Sequence, residues 1–98
     1  MLFLNAGFVN CGPFSGLTDA EVETSLMTNA MHPIYTMKVL LPKLLGRNHL
    51  AAMVVTSSGL GSAPIPGCVD YSCAKSFASF LAEGLNYELK GKVDCLAW

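Results

Sequence analysis

Charge is scarce in this chain. Only 13% of its 98 residues are Asp, Glu, Lys or Arg, and the formal net charge is -1. The six basic residues are scattered, apart from Lys90 and Lys92. No electrostatic footprint for nucleic acid exists, because such binding rests on neutralising phosphates. Long apolar runs are also missing. None approaches the roughly 20 residues that a bilayer-spanning helix needs. Met1–Leu4 is too short for a signal peptide and has no basic lead-in. Cys11, Cys68, Cys73 and Cys95 form no Cys-x-x-Cys pair, and His32 and His49 do not join them at zinc-ligand spacing. The expectation is no metal site and no disulfide framework, with free thiols in a reducing compartment. No Gly-x-Ser-x-Gly elbow surrounds Ser58, which excludes a serine acyl-transfer hydrolase. Repeats, low-complexity stretches and linkers are absent too.

What is present is apolar. Hydrophobic residues make up 52% of the chain. So short a chain buries a small fraction of its surface, so the excess reads as surface that meets further protein. Leu2 to Leu4 reads as a short buried strand, and Asn5 to Gly16 as a loop broken by glycine and Pro13. Thr18 with Glu21 forms a capping box, and Asp19, Glu21 and Glu23 suit the positive end of a helix. That helix is expected from about Asp19 to Leu45, with Val22, Leu26, Met27, Ala30 and Met31 as its apolar face and a kink at Pro33. Met27, Met31 and Met37 are expected in the core. Gly46 can close the helix ahead of a polar turn at Arg47, Asn48 and His49.

Ala51 to Thr56 is a continuous apolar run, as in a strand covered on both faces. A second long helix is expected over Val69 to Leu89, with Phe77, Phe80, Leu81, Leu85 and Leu89 as its stripe, and a further strand from Val93 to Trp98. Strand, helix, strand, helix, strand argues for an α/β domain, or part of one, with parallel strands and helical crossovers.

Tyr71 and Lys75 carry the chemistry. Four residues apart on a helix, both side chains share one face. A nearby ammonium favours a phenolate, whose free pKa is about 10. A tyrosine tuned this way passes protons to or from a substrate oxygen near neutral pH. Ser58, upstream of the tyrosine, can hydrogen-bond the same oxygen; Ser57 is its neighbouring rival. The three suit interconversion of a carbonyl and an alcohol.

This Tyr-x-x-x-Lys with its upstream serine resembles the short-chain dehydrogenase/reductase family. Leu4-Asn5-Ala6-Gly7 resembles that family's Asn-Asn-Ala-Gly turn with Leu for the first Asn. Asn29 falls where the family keeps a helix asparagine, and Val54 to Gly59 is similar to the strand that ends in the catalytic serine. The similarity runs from Leu2 to about Val93 and implies a partial Rossmann-like, doubly wound parallel sheet. It also implies Asn29, Ser58, Tyr71 and Lys75 as the catalytic set. Asn5, Ala6, Gly7, Tyr71 and Lys75 would border a nicotinamide cofactor, NADP or NAD with NADP preferred.

Asn29 would hold a water that links Lys75 to solvent, and Lys75 would contact the nicotinamide ribose. The loops Phe8 to Phe14 and Leu60 to Val69 are apolar and flank the site, which points to an apolar substrate. Residues Ser58 to Phe77 resemble the steroid dehydrogenase and 3-ketoacyl-CoA reductase branch. The family's glycine-rich phosphate turn is absent. Gly59-Leu60-Gly61 follows a strand but leads into a proline-containing loop and lacks the third glycine. The chain is therefore expected to be the central-to-C-terminal part of a dehydrogenase: a fragment, a mis-started gene model or a degenerate copy. The implied setting is cytoplasmic, or the endoplasmic reticulum membrane for a longer form. Pairing of copies through the two long helices is implied as well. An inactive copy serving as a helix-mediated interaction module is the alternative.

Overall fold

A computed structural model describes residues 1–47 and 49–98. Asn48, part of the expected polar turn, lies outside the described residues. Three strands, β1 (Leu2–Leu4), β2 (Ala51–Val55) and β3 (Val93–Ala97), form one sheet in the order β1-β2-β3. Both pairings are parallel, with Leu4 opposite Val55 and Met53 opposite Cys95. Helices α1 (Asp19–Leu26) and α2 (His32–Leu45) lie between β1 and β2, and α3 (Val69–Glu88) lies between β2 and β3. No helix among the described residues is long and apolar enough to cross a membrane.

The pleat explains the core. Leu2, Leu4, Ala51, Met53, Val55, Val93 and Cys95 point to one face, where Met37 and Leu41 of α2 and Ala78, Ala82 and Leu85 of α3 meet them. Met53, Val93 and Ala82 are fully buried. Alanines on α3 let the helix approach the sheet closely. The alternate strand positions form the other face, where Phe3 is 56% and Leu96 60% exposed.

The capping box at Thr18 forms as expected: its hydroxyl accepts from Glu21 N–H at 3.2 Å, and Glu21 accepts from Thr18 N–H at 2.8 Å. Two expectations fail on the first long helix. Its buried residues are Ser25, Asn29, Ala30, Pro33 and Met37, whereas Leu26 and Met27 are exposed. Small and polar groups turn inward because Asn29 has backbone to bond there. Val22, Leu26, Met27 and Met31 are left lining a surface groove of about 420 Å³ with Phe14 and Leu17. The second correction concerns Pro33. The distortion lies before it, as a π turn at Met27–Met31, and Pro33 sits in the first turn of α2, where its missing N–H matters least. On α3 the stripe splits: Leu81, Leu85 and Leu89 pack on the core, but Phe80 is 77% exposed and Phe77 faces solvent in part.

Candidate active site

The C-terminal ends of β1 and β2 lie side by side, where parallel sheets receive ligands. Asn5 to Val9 leave β1 there, and Thr56 to Ser58 leave β2. The N-terminal turns of α3 bring Tyr71 and Lys75 over the same edge. A cavity of about 360 Å³ is lined by Asn5, Gly7, Phe8, Val9, Thr56, Ser57, Tyr71 and Lys75. The structure thus brings together most of the residues singled out by sequence. Ala6 and Ser58 stand outside this lining, and Asn29 lies buried at the edge of Gly7.

Lys75 is 3% exposed, and its ammonium donates to the Thr56 carbonyl at 3.0 Å. Among the described residues that is its one side-chain hydrogen bond. Burial pushes its pKa below the ordinary lysine value. The ammonium lies 5.6 Å from the centroid of the Tyr71 ring, as the four-residue spacing on α3 dictates. Thr56 matters twice, since its hydroxyl donates to Asn5 Oδ1 at 2.7 Å and locks the β1 and β2 ends together. Sequence reasoning missed Thr56, because a backbone carbonyl carries no residue-type signal.

Asn29 mimics a strand partner. Its Oδ1 accepts from Phe8 N–H at 3.1 Å, and its Nδ2 donates to the Phe8 carbonyl at 2.6 Å and to Ser25 Oγ at 3.3 Å. The loop after β1 is thereby pinned to the π turn. A Cβ placed on Gly7 would lie 3.6 Å from both Asn29 Oδ1 and Lys75 Nζ, so these two groups flank one point.

The two serines differ in how their protons are used. Ser79 Oγ donates to the Lys75 carbonyl at 3.1 Å, which commits its single hydrogen. Ser57 Oγ lies 2.6 Å from Ser79 Oγ and must then be the donor of that pair. Ser58 Oγ accepts from Leu60 N–H at 3.2 Å, and its own hydrogen stays available. Of the two, Ser58 is the one with a donor to offer.

The turn that carries Ser58 is strapped to α3. Ser72 Oγ reaches the carbonyls of Leu60 and Ala63, each at 2.7 Å, and Ser76 Oγ donates to the Gly61 carbonyl. A Cβ on Gly61 would lie 2.9 Å from Lys75 Cβ and 3.0 Å from its carbonyl carbon. Only glycine permits that approach. Gly61, in sequence no more than a phosphate-turn candidate, instead seats the serine turn against the lysine's helix.

Comparison with known proteins gives the arrangement its context. The chain is 40% identical over 91 residues to short-chain dehydrogenase/reductase family 16C member 6 of Bos taurus, covering 92% of this chain and 28% of that protein. It is 34% identical over 90 residues to retinol dehydrogenase 10-B of Danio rerio, covering 92% of this chain and 26% of that protein. It thus spans about a quarter of the length of these curated relatives. A short chain dehydrogenase/reductase from Burkholderia phymatum, solved in complex with NAD, superposes with a TM-score of 0.91 at 29% identity, covering 99% of this chain and 37% of that one. The sequence model of the short chain dehydrogenases matches residues 1–97, and the chain belongs to that family.

Proposed function

We propose that the protein carrying this chain is a nicotinamide-dependent oxidoreductase that interconverts a carbonyl and an alcohol on an apolar substrate. The observation that carries this reading is the convergence of Tyr71 and the buried Lys75 ammonium on one cavity at the strand ends. The residues present fit a dinucleotide's ribose. Lys75 has one of its three N–H groups committed, Asn5 and Gly7 border the cavity with it, and the Gly7 site has no side chain to fill the space. When bound, the nicotinamide supplies the hydride.

Tyr71 gives or takes the proton at its phenol oxygen. Lys75 stabilises negative charge developing there, in a setting where burial strengthens the interaction. Ser58 donates its uncommitted hydrogen to the substrate oxygen and polarises the carbonyl. Asn29 completes a route from Lys75 to solvent through ordered water. Phe8 and Val9 on the cavity wall support an apolar alcohol or carbonyl substrate of the steroid, retinoid or 3-ketoacyl class.

Replacing Tyr71 by Phe in the complete protein tests this. Turnover is expected to fall by at least about 100-fold, the scale of general acid–base assistance, with cofactor affinity measured by nucleotide fluorescence nearly unchanged. Retained turnover would refute the reading. A second reading has its own observation: Tyr35 and Val39 on α2 and Phe80 on α3 are exposed apolar residues on the long helices. We propose that copies of the complete protein pair through these helices. That association is expected to be indifferent to Tyr71→Phe and weakened by Phe80→Ser.

A further inference from the structure

Phe8 and Val9, which wall the cavity, belong to a loop that is tied down further along. The loop leaving β1 meets the turn before α3 where Gly12 N–H donates to the Gly67 carbonyl at 2.9 Å. Next to each glycine stands a cysteine, Cys11 on the first loop and Cys68 on the second. Cys11 is among the groups that act on the Cys68 thiol. Cys11 is exposed and Cys68 half-buried, so a small solute can reach the pair. Gly12 and Gly67 both have positive φ, 136° and 83°, and an added Cβ would touch nothing at either. Neither glycine is there for a close contact, and the hydrogen bond between them sets the two cysteines on adjoining stretches of backbone.

We propose that Cys11 and Cys68 form a reversible disulfide that straps the β1 loop to the turn carrying Tyr71. The oxidant is a low-molecular-weight disulfide. The Cys11 thiolate attacks one of its sulfurs, forming a mixed disulfide and releasing one small thiol. Cys68, as thiolate, then attacks the Cys11 sulfur, forming the protein disulfide and releasing the second small thiol. Two protein thiols are oxidised and one small disulfide is reduced to two thiols. Exposed Cys11 is the entry point. Desolvation, then the neighbouring Cys11, then the charge of Asp70 raise the Cys68 thiol above its ordinary value, which makes it the resolving partner. The cross-link itself depends only on the thiols. Its effect on the site, fixing Phe8 and Val9 relative to Tyr71, rests on the function proposed above.

The test uses the complete native protein treated with oxidised glutathione and mapped by peptide mass spectrometry without reduction. The expected result is a Cys11–Cys68 cross-linked peptide, lighter than its reduced parts by two hydrogens and lost on adding dithiothreitol. Cys11→Ser and Cys68→Ser are each expected to lose it. Glutathione persisting on Cys11 of the native protein, or pairing of either residue with Cys73 or Cys95 instead, would overturn the proposal. Because the readout is mass, it stands or falls separately from any loss of dehydrogenase activity.

Discussion

Three side chains at the site have properties that measurement can isolate. Burial holds Lys75 below its ordinary pKa of 10.5, so the unfolded chain binds that proton more tightly than the folded one. Stability therefore rises with pH between the folded value and 10.5, and below both values the burial cost is constant. In urea melts across pH, the unfolding free energy of the wild type minus that of Lys75→Met is expected to climb toward pH 10.5 and to be flat at lower pH. A difference that stays flat through the alkaline range would mean the ammonium is solvated after all. The serines separate by proton accounting. Ser58→Ala removes the uncommitted donor, and kcat is expected to drop about 100-fold, the scale of losing one donor to a developing oxyanion. Ser57→Ala breaks the bond to Ser79, so it is expected to cost about 1 kcal/mol of stability and to reduce kcat far less. Paired kcat and melting measurements on both variants decide which hydroxyl serves the substrate.

At the scale of elements, the seat of the serine turn on α3 is the most sensitive contact. Gly61→Ala places a methyl 2.9 Å from Lys75 Cβ, against a helix fixed by the Ser72 and Ser76 straps. The expected cost is about 1–3 kcal/mol by overpacking, read as a lowered urea midpoint, with kcat falling because Ser58 is displaced. A neutral Gly61→Ala would show that the turn yields freely. The same contacts explain what was legible in the sequence. Strand and helix positions followed from Ala51–Val55, the Thr18 capping box and the Tyr71–Lys75 spacing, all local signals. The inward face of α1 did not. Apolar periodicity pointed to Leu26 and Met27, but burial is decided by Asn29 reaching the Phe8 backbone across 21 residues of chain separation. The π turn was hidden for a related reason, since Pro33 announces a disturbed helix without saying on which side the ladder adjusts. Gly61 and Thr56 act through close approach and a carbonyl, neither of which leaves a residue pattern.

The whole molecule is elongated, 50 × 23 × 17 Å, with a radius of gyration of 14.5 Å. A compact chain of this length would be nearer about 13 Å. One sheet face is covered by α2 and α3, while the other shows Phe3 and Leu96, with Trp98 81% exposed beyond them. Parallel sheets are ordinarily covered on both faces. Produced by itself, the 98-residue segment is therefore expected to self-associate and to bind a dye that reports exposed apolar surface. A Phe3→Lys, Leu96→Lys double variant is expected to shift its elution in size-exclusion chromatography toward the monomer; a wild-type segment that already elutes and melts as a cooperative monomer would contradict this. The strand order β1-β2-β3 follows the order of the chain itself. Among these three, each strand can dock at the flank of its predecessor as the chain emerges, and none has to be inserted between two already joined.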